Sequence, residues 1–417
     1  MPIGKVVKDS IQFKTPFYRK ILESIQRYSI YIGLGSPKKS ELKRESIANG
    51  IVVTTWRKGF QSLEFLSHDK GYTMAKGGLH SKDDPRVIWA ESGEILADPD
   101  VTSMYPSFIV EYGVAPHHLS KKVFIGIVKW LRETRVEAKH TGRKLEADAL
   151  KIVINRIYGA LNDAMDYLYD PECTYTVTIN LQLLLCGLIE AFELNNFDVL
   201  SANTDGLLVR LPLNRQGVFK HICNEWSAYS KLDLETEKFE KYCRSAVNDY
   251  IAVGYGFYDA LQEYNRCGVW IDSKGNTYTT RQSIEDKFIK FKGYFLQDPE
   301  YNKGFVYPVV KKALKEYFLY GVDITEFIRN YINTSRIAIY DYCFSQKVAG
   351  KYTTIYKTVR DGKPVYIKCQ KHNRFYICKS GGGAITKAIV PNSDNIAYGD
   401  DISGIVVEEE KSLVADQ

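Results

Sequence analysis

Apolar and polar positions along the chain change their spacing several times. Over residues 121–162, KKVFIGIVKWLRETRVEAKH and RKLEADALKIVINRIYGALN repeat apolar residues every three or four positions, with a break at Thr141-Gly142. This spacing predicts two helices folded back as a hairpin. Residues 179–196, INLQLLLCGLIEAFELNN, are apolar nearly all round and predict a buried helix. FDVLSANTDGLLVRLP, 197–212, is an apolar run, a turn and a second apolar run, which predicts a β-hairpin with Asp205 at its tip. Upstream, VIWAESGEILADPDVTSMYP predicts a hairpin around Ser92-Gly93 and then a strand that ends in Asp100. A strand pair is expected at 232–257, an amphipathic helix pair at 308–332 and further β-hairpins at 350–400. Residues 1–31 read as one or two basic helices and 33–39 as a linker. Short strands and loops follow at 40–97, with a paired-glycine turn at Lys76-Gly77-Gly78. Strands and helices that do not alternate regularly predict an α+β fold.

Length and composition narrow the class. At 417 residues the chain can bury a large core in two or three sub-domains. The 45% hydrophobic and 25% charged content is that of a soluble globular protein. No run of 18 apolar residues and no signal-peptide core occurs, so an intracellular, cytoplasmic protein without a membrane partner is expected. The eight cysteines form no CxxC pair, which argues against a disulfide framework or a zinc finger. Cys369, His372 and Cys378 lie close together but have no fourth partner for zinc.

Charge placement says more than the net charge of +6. Residues 1–50 carry ten Lys/Arg against four Asp/Glu, and residues 121–151 carry nine against four. Basic patches interleaved with tyrosines, as at Lys241-Tyr242 and Arg374-Phe375-Tyr376, suit a polyanionic partner through counterion release and stacking. Each patch taken singly also fits a solvated face.

The candidate chemistry lies in a fixed order. Asp100 leaves an apolar strand into a turn, Lys151, Asn155 and Tyr158 share one helix face at i, i+4 and i+7, and Asp205 tops a hairpin. Asp100 also fits a plain cap of the helix after Ser103. Two carboxylates on neighbouring strands with Lys and Asn close by are what two-metal phosphoryl transfer needs.

Asp100-Val101-Thr102-Ser103-Met104-Tyr105-Pro106-Ser107 resembles motif A of family B DNA polymerases, D-x-x-S-L-Y-P-S, with Met for Leu. Lys151-x3-Asn155-x2-Tyr158-Gly159 resembles their motif B, with Arg156 for Ser. Thr204-Asp205 stands where motif C has D-T-D-S, with Asn203 for the first Asp and Gly206 for the Ser. The resemblance spans roughly residues 75–330.

The resemblance implies a right-hand architecture. Residues 1–75 would be a basic lead-in, 76–120 and 163–257 an antiparallel-sheet palm, 121–162 two-helix fingers, 258–404 a thumb and C-terminal β region, and 405–417 an acidic tail. It implies DNA-directed DNA synthesis from dNTPs, with two Mg²⁺, or Mn²⁺, on Asp100, the Val101 carbonyl and Asp205. Ser103, Met104, Tyr105, Arg135, Lys139, Lys151 and Asn155 would bind the nucleotide, with Tyr105 excluding the 2′-hydroxyl. Tyr158, Gly159, Tyr250, Lys290 and Lys292 would contact primer-template DNA.

Departures from the pattern are Ala75 in place of a template-contacting Tyr, Asn248 for a primer-contacting Lys, and no T-x2-G-R before the 179–196 helix. The 50 residues between Asp100 and Lys151 leave little space for the insertions of protein-primed relatives, so an ordinary primer is expected. No D-x-E precedes Asp100, so no proofreading is expected within this chain; a separate exonuclease or processivity subunit, a split polymerase gene or a naturally error-prone enzyme would each fit that absence. The form is phage-like. The alternative is a polymerase-like subunit that binds DNA without catalysis.

Overall fold

The computed structural model describes residues 1–32, 37–48, 50–295, 307–335, 338 and 341–344, together with the backbone of the strands within 345–391. The acidic tail at 405–417 lies outside the described residues, as does most of the 33–39 linker. The chain forms two compact units, Met1–Lys290 and Phe291–Gln417.

The first unit begins with α1 (Pro16–Gln26), capped by Thr15, and the antiparallel strands β1 (Lys43–Ala48), β2 (Ile51–Trp56), β3 (Gly59–Ser67), β4 (Lys70–Ala75) and β5 (Leu79–Ser81). Next come β6 (Arg86–Trp89), β7 (Glu94–Val101) and α2 (Met104–Glu111), followed by the paired helices α3 (Lys121–His140) and α4 (Lys144–Leu161). The long helix α5 (Pro171–Leu194) leads into β8 (Asp198–Asn203), β9 (Gly206–Pro212) and α6 (Gln216–Ser230). The long strand β10 (Leu234–Ala246), β11 (Asp249–Gly254), α7 (Phe257–Cys267) and α8 (Arg281–Phe288) complete the unit.

These strands build one mixed-connection, antiparallel sheet ordered β1-β2-β3-β4-β5-β8-β9-β7-β10-β11. The hairpin expected at Ser92-Gly93 does not form. A turn is there, with Gly93 at φ 82°, but β6 and β7 both pair with β10, at Lys241–Arg244 and Leu234–Phe239 respectively. The 13 residues of β10 are long enough to accept two short strands end to end, which periodicity within 87–101 cannot reveal.

Each face of the sheet has its own core. On one face Ile95, Ala97, Val199, Val209 and Leu211 pack with α1, α2, α5 and α6. Here α5 starts at Pro171, earlier than the 179 expected, because the Asp170 carboxylate caps it by accepting from Cys173 N at 2.9 Å. It is long and apolar enough to cross a membrane by length and composition, yet 83% of its apolar window is buried in this core. On the other face Leu96, Leu200, Leu208, Phe239, Tyr242 and Tyr250 form a smaller cluster. The carboxylates discussed below share that second face.

The second unit holds the helix pair expected at 308–332, as α9 (Pro308–Tyr320) and α10 (Ile324–Tyr331). Its strands form two antiparallel three-stranded sheets, and Gly381–Gly383 pair with Tyr376–Cys378 in one of them.

Phe192 of α5 is fully buried, with its ring 5.2 Å from Phe219 and 5.7 Å from Phe197. Phe192→Ala is expected to lower stability by about 3–5 kcal/mol, read as the shift of a urea unfolding curve. A loss under about 1 kcal/mol would mean that α5 is not packed as described.

Candidate active site

Register brings the two motif carboxylates together. Asp100 on β7 lies opposite Gly206 on β9 and opposite Glu235 on β10, with Glu237 opposite Asp98. Directly paired residues share a face, so Asp98, Asp100, Glu235 and Glu237 all stand on the second face of the sheet. Val101 N donates to Asp205 O at 2.8 Å and Thr102 N to Asp233 O at 2.9 Å, which locks the end of β7 between both neighbours.

The turn that carries Asp205 is strained. Thr204 has φ 57°, and Asp205 N donates to Asn203 O at 2.6 Å across it, the rarer form of three-residue turn. Its surroundings hold it there. Thr204 N donates to Leu79 O at 2.8 Å, and Thr204 Oγ1 lies 3.1 Å from His80 Nε2. Gly206 leaves necessary space, since a Cβ there would sit 3.2 Å from both Asp100 Oδ1 and Asp98 Oδ1.

Asp100 feels this crowding. Burial first, then the charges of Asp205 and Asp98, raise its pKa from 3.8 to about 7, with Lys290 opposing and Glu237 adding. Asp100 Oδ1 is buried and accepts no hydrogen bond. A buried carboxylate oxygen without a donor, facing other carboxylates, is matched to a hard cation.

The helices supply the groups around this point. Ser103, in the left-handed region at φ 50°, starts α2 and accepts from Arg135 Nη1 of α3 at 2.5 Å. Lys139, one turn on, pairs with Glu235 at 2.9 Å. Met104 is buried, and Tyr105 stacks on Tyr158 of α4 with centroids 4.1 Å apart and planes at 17°. Burial, then the charge of Asp205, pushes the Tyr105 hydroxyl up to about 12. Its hydroxyl donates to Gly77 O at 3.4 Å, so the paired-glycine turn abuts this ring. Gly78 touches the other motif, since a Cβ there would meet Thr204 at 3.3 Å. Lys151, Asn155 and Gly159 are exposed on α4, while Arg156 pairs with Asp163 and Asp166 at 3.5 and 2.6 Å.

The remaining expected contacts divide. Tyr250 is 5% exposed and stacks on Tyr242 at 4.6 Å, so its ring belongs to the second-face core. Lys290 reaches Glu237 at 2.9 Å and Asp98 at 4.0 Å. Lys292 falls in the second unit. Asn203 donates to Val247 O at 3.3 Å and Asn248 Oδ1 at 3.0 Å, which ties the Asp205 hairpin to the β10–β11 turn. Sequence reasoning passed over Asp98, Glu237 and Gly77 as site residues; the i, i+2 spacing of Asp98 and Asp100 on one strand was the available signal.

Among solved structures, the chain is similar to the family B DNA polymerase from the hyperthermophilic archaeon Pyrobaculum calidifontis. The TM-score is 0.39 and the identity 14%, over 79% of this chain and 44% of that one. The chain thus spans less than half the length of that structure. No family model and no curated protein matches it.

Among the described residues no group of three or more His, Cys, Asp or Glu side chains has a metal-holding arrangement. The groups that could hold a cation are the Asp100 and Asp205 carboxylates, with the Val101 carbonyl as the third oxygen the motif would supply; such an all-oxygen set would suit Mg²⁺ or Mn²⁺.

Burial and crowding of Asp100 make stability depend on pH in a fixed sense. Its pKa is higher folded than unfolded, so the metal-free protein loses stability as pH rises from about 4 through 7. In EDTA, Asp100→Asn is expected to melt above wild type by a margin that grows over that window and then levels. A margin constant with pH would contradict the raised pKa of Asp100.

Proposed function

We propose that this chain is a DNA-directed DNA polymerase that adds dNTPs to a primer 3′-hydroxyl on a template strand. The observation that carries the reading is the adjacency of Asp100 and Asp205, locked by the Val101–Asp205 backbone bond. The sheet around β7, β8, β9 and β10 would be the palm, α3 and α4 the fingers, and residues 258–404 the thumb and C-terminal β region.

Two Mg²⁺ held by Asp100, Asp205 and the Val101 carbonyl would supply activation of the primer hydroxyl and neutralise charge on the phosphate. The protein's own groups do the rest. Arg135 and Lys139 approach from α3, and Lys151 and Asn155 from α4, as donors for the triphosphate. To take that role Arg135 exchanges Ser103, and Lys139 exchanges Glu235, for phosphate oxygens. Tyr105, backed by the Tyr158 ring, closes the space where a ribose 2′-hydroxyl would sit. Gly159, Lys290 and Lys292 are the candidates for the primer-template, with Tyr250 supporting them from the core.

One observation favours a second reading, a polymerase-like subunit that binds DNA without catalysis. Asn203 stands where the motif has a carboxylate.

Extension of a labelled primer-template with Mg²⁺ separates the two. Wild type is expected to extend with dNTPs and fail with rNTPs, Asp205→Ala to lose roughly 10²- to 10³-fold in rate, and Tyr105→Ala to accept rNTPs. DNA binding without extension in either Mg²⁺ or Mn²⁺ would overturn the catalytic reading in favour of the second.

A further inference from the structure

The hairpin that carries Asp205 contains an irregularity that decides which way its polar residues face. In β8, Val199 pairs with Val209 and Ser201 pairs with Leu208, so the register shifts by one residue at Leu200. This is a β-bulge. Val199 and Val209 belong to the α5-side core along with Ala97. Asn203 pairs with Gly206, and Gly206 pairs with Asp100, so Asn203 stands on the opposite face with the carboxylates. Regular alternation from Val199 would put residues 201 and 203 on the core face. The extra residue reverses this for the strand end and for the turn that follows it.

A bulge leaves backbone groups outside the ladder, and here the Leu200 carbonyl is taken by two cations. Lys70 Nζ donates to Leu200 O at 2.7 Å and Arg244 Nη1 donates to it at 3.0 Å. Both cations are held by Asp83, at 3.6 Å from Lys70 and 3.1 Å from Arg244. Arg244 Nε also donates to Asp84 O at 3.2 Å. The next residue is fixed from the same source, since Ser201 Oγ donates to Asp83 Oδ2 at 2.5 Å and Ala202 N to Ser81 Oγ at 2.8 Å. The Asp83 side chain is 0% and the Arg244 side chain 2% exposed. Burying a carboxylate and two cations is costly, and a merely structural strand would be held as well by apolar packing. What the charges add is direction: two donors converge on the Leu200 carbonyl, and Asp83 accepts from the Ser201 hydroxyl beside it.

We propose that Lys70, Arg244 and Asp83 are positioning residues that fix the bulge at Leu200 and thereby aim Asp205 at Asp100. The inference rests on the catalytic role assigned to Asp205. None of the three touches the reacting groups, and each acts through the register of β8.

The test uses the full chain with Lys70→Met, Lys70→Arg and Arg244→Lys. In hydrogen exchange, the peptide covering 198–210 is expected to exchange about tenfold faster in Lys70→Met, with α5 unchanged. Mn²⁺ affinity measured without DNA is expected to fall. In primer extension kcat is expected to drop by roughly 10- to 100-fold while the KM for primer-template stays within about twofold, as for a small misplacement of a reacting group. Lys70→Arg is expected to restore all three readouts. If Lys70→Met does not fold, Arg244→Lys, which keeps the charge but loses the planar fork that serves the Leu200 and Asp84 carbonyls together, is expected to show the same pattern. A folded variant with wild-type exchange overturns the clamp. Faster exchange with unchanged Mn²⁺ affinity and kcat overturns its positioning role. If wild type neither binds Mn²⁺ nor extends a primer, the proposed function fails and the positioning role fails with it, while the exchange readout still decides whether the charges hold the bulge.

Discussion

Asp100 and Asp205 repel one another, and the sheet holds them together nonetheless. The constraint is the backbone bond from Val101 N to Asp205 O at 2.8 Å, made at the end of β7, where the strand is also tied to β10 through Thr102 and Asp233. Strand pairing fixes main-chain positions irrespective of what side chains prefer, so carboxylates can be forced into proximity that they would not adopt freely. Burial first, and then this imposed closeness, raise the pKa of Asp100, whose Oδ1 accepts no hydrogen bond. Two of the eight non-glycine residues with positive φ among the described residues, Ser103 and Thr204, flank the two carboxylates, while others such as Arg57, Lys58, His68 and Asp69 sit in turns between strands.

The two faces of the sheet divide the work. One is covered by α5 and its neighbours, an apolar packing that gives the strands a rigid backing. The other carries the small cluster around Tyr242 and Tyr250 and, beyond it, the acidic row. Three lysine or arginine contacts temper that row: Lys290 with Glu237 and Asp98, Lys139 with Glu235, and Arg135 with Ser103 beside Asp100. The exposed pairs add little to stability. Their effect is to hold three cations beside the acidic row.

Much of this was legible in the sequence. Helix spacing reported the α3–α4 hairpin and the shared face of Lys151, Asn155 and Tyr158, and an apolar–turn–apolar pattern reported the β8–β9 hairpin with Asp205 in its turn. These are local signals, and local periodicity carries them. What was not legible depended on pairing across long separations. The lodging of β6 and β7 end to end along β10, the stacking of Tyr105 on Tyr158 and the burial of Tyr250 follow from where distant strands and helices meet. The bulge at Leu200 was hidden for another reason. Both faces of β8 are buried there, so an apolar run reads the same whether or not one residue is extra. The buried partners Asp83 and Arg244 gave no signal either, because an isolated Asp or Arg in sequence looks like surface.

The central claim is that this sheet sets two carboxylates to hold metal. Anomalous diffraction from crystals soaked in Mn²⁺ tests it most directly. The account predicts Mn²⁺ density bounded by the Asp100 and Asp205 carboxylates and the Val101 carbonyl, absent in Asp100→Asn. Ordered carboxylates with no metal between them, at Mn²⁺ concentrations that fill ordinary carboxylate sites, would contradict it.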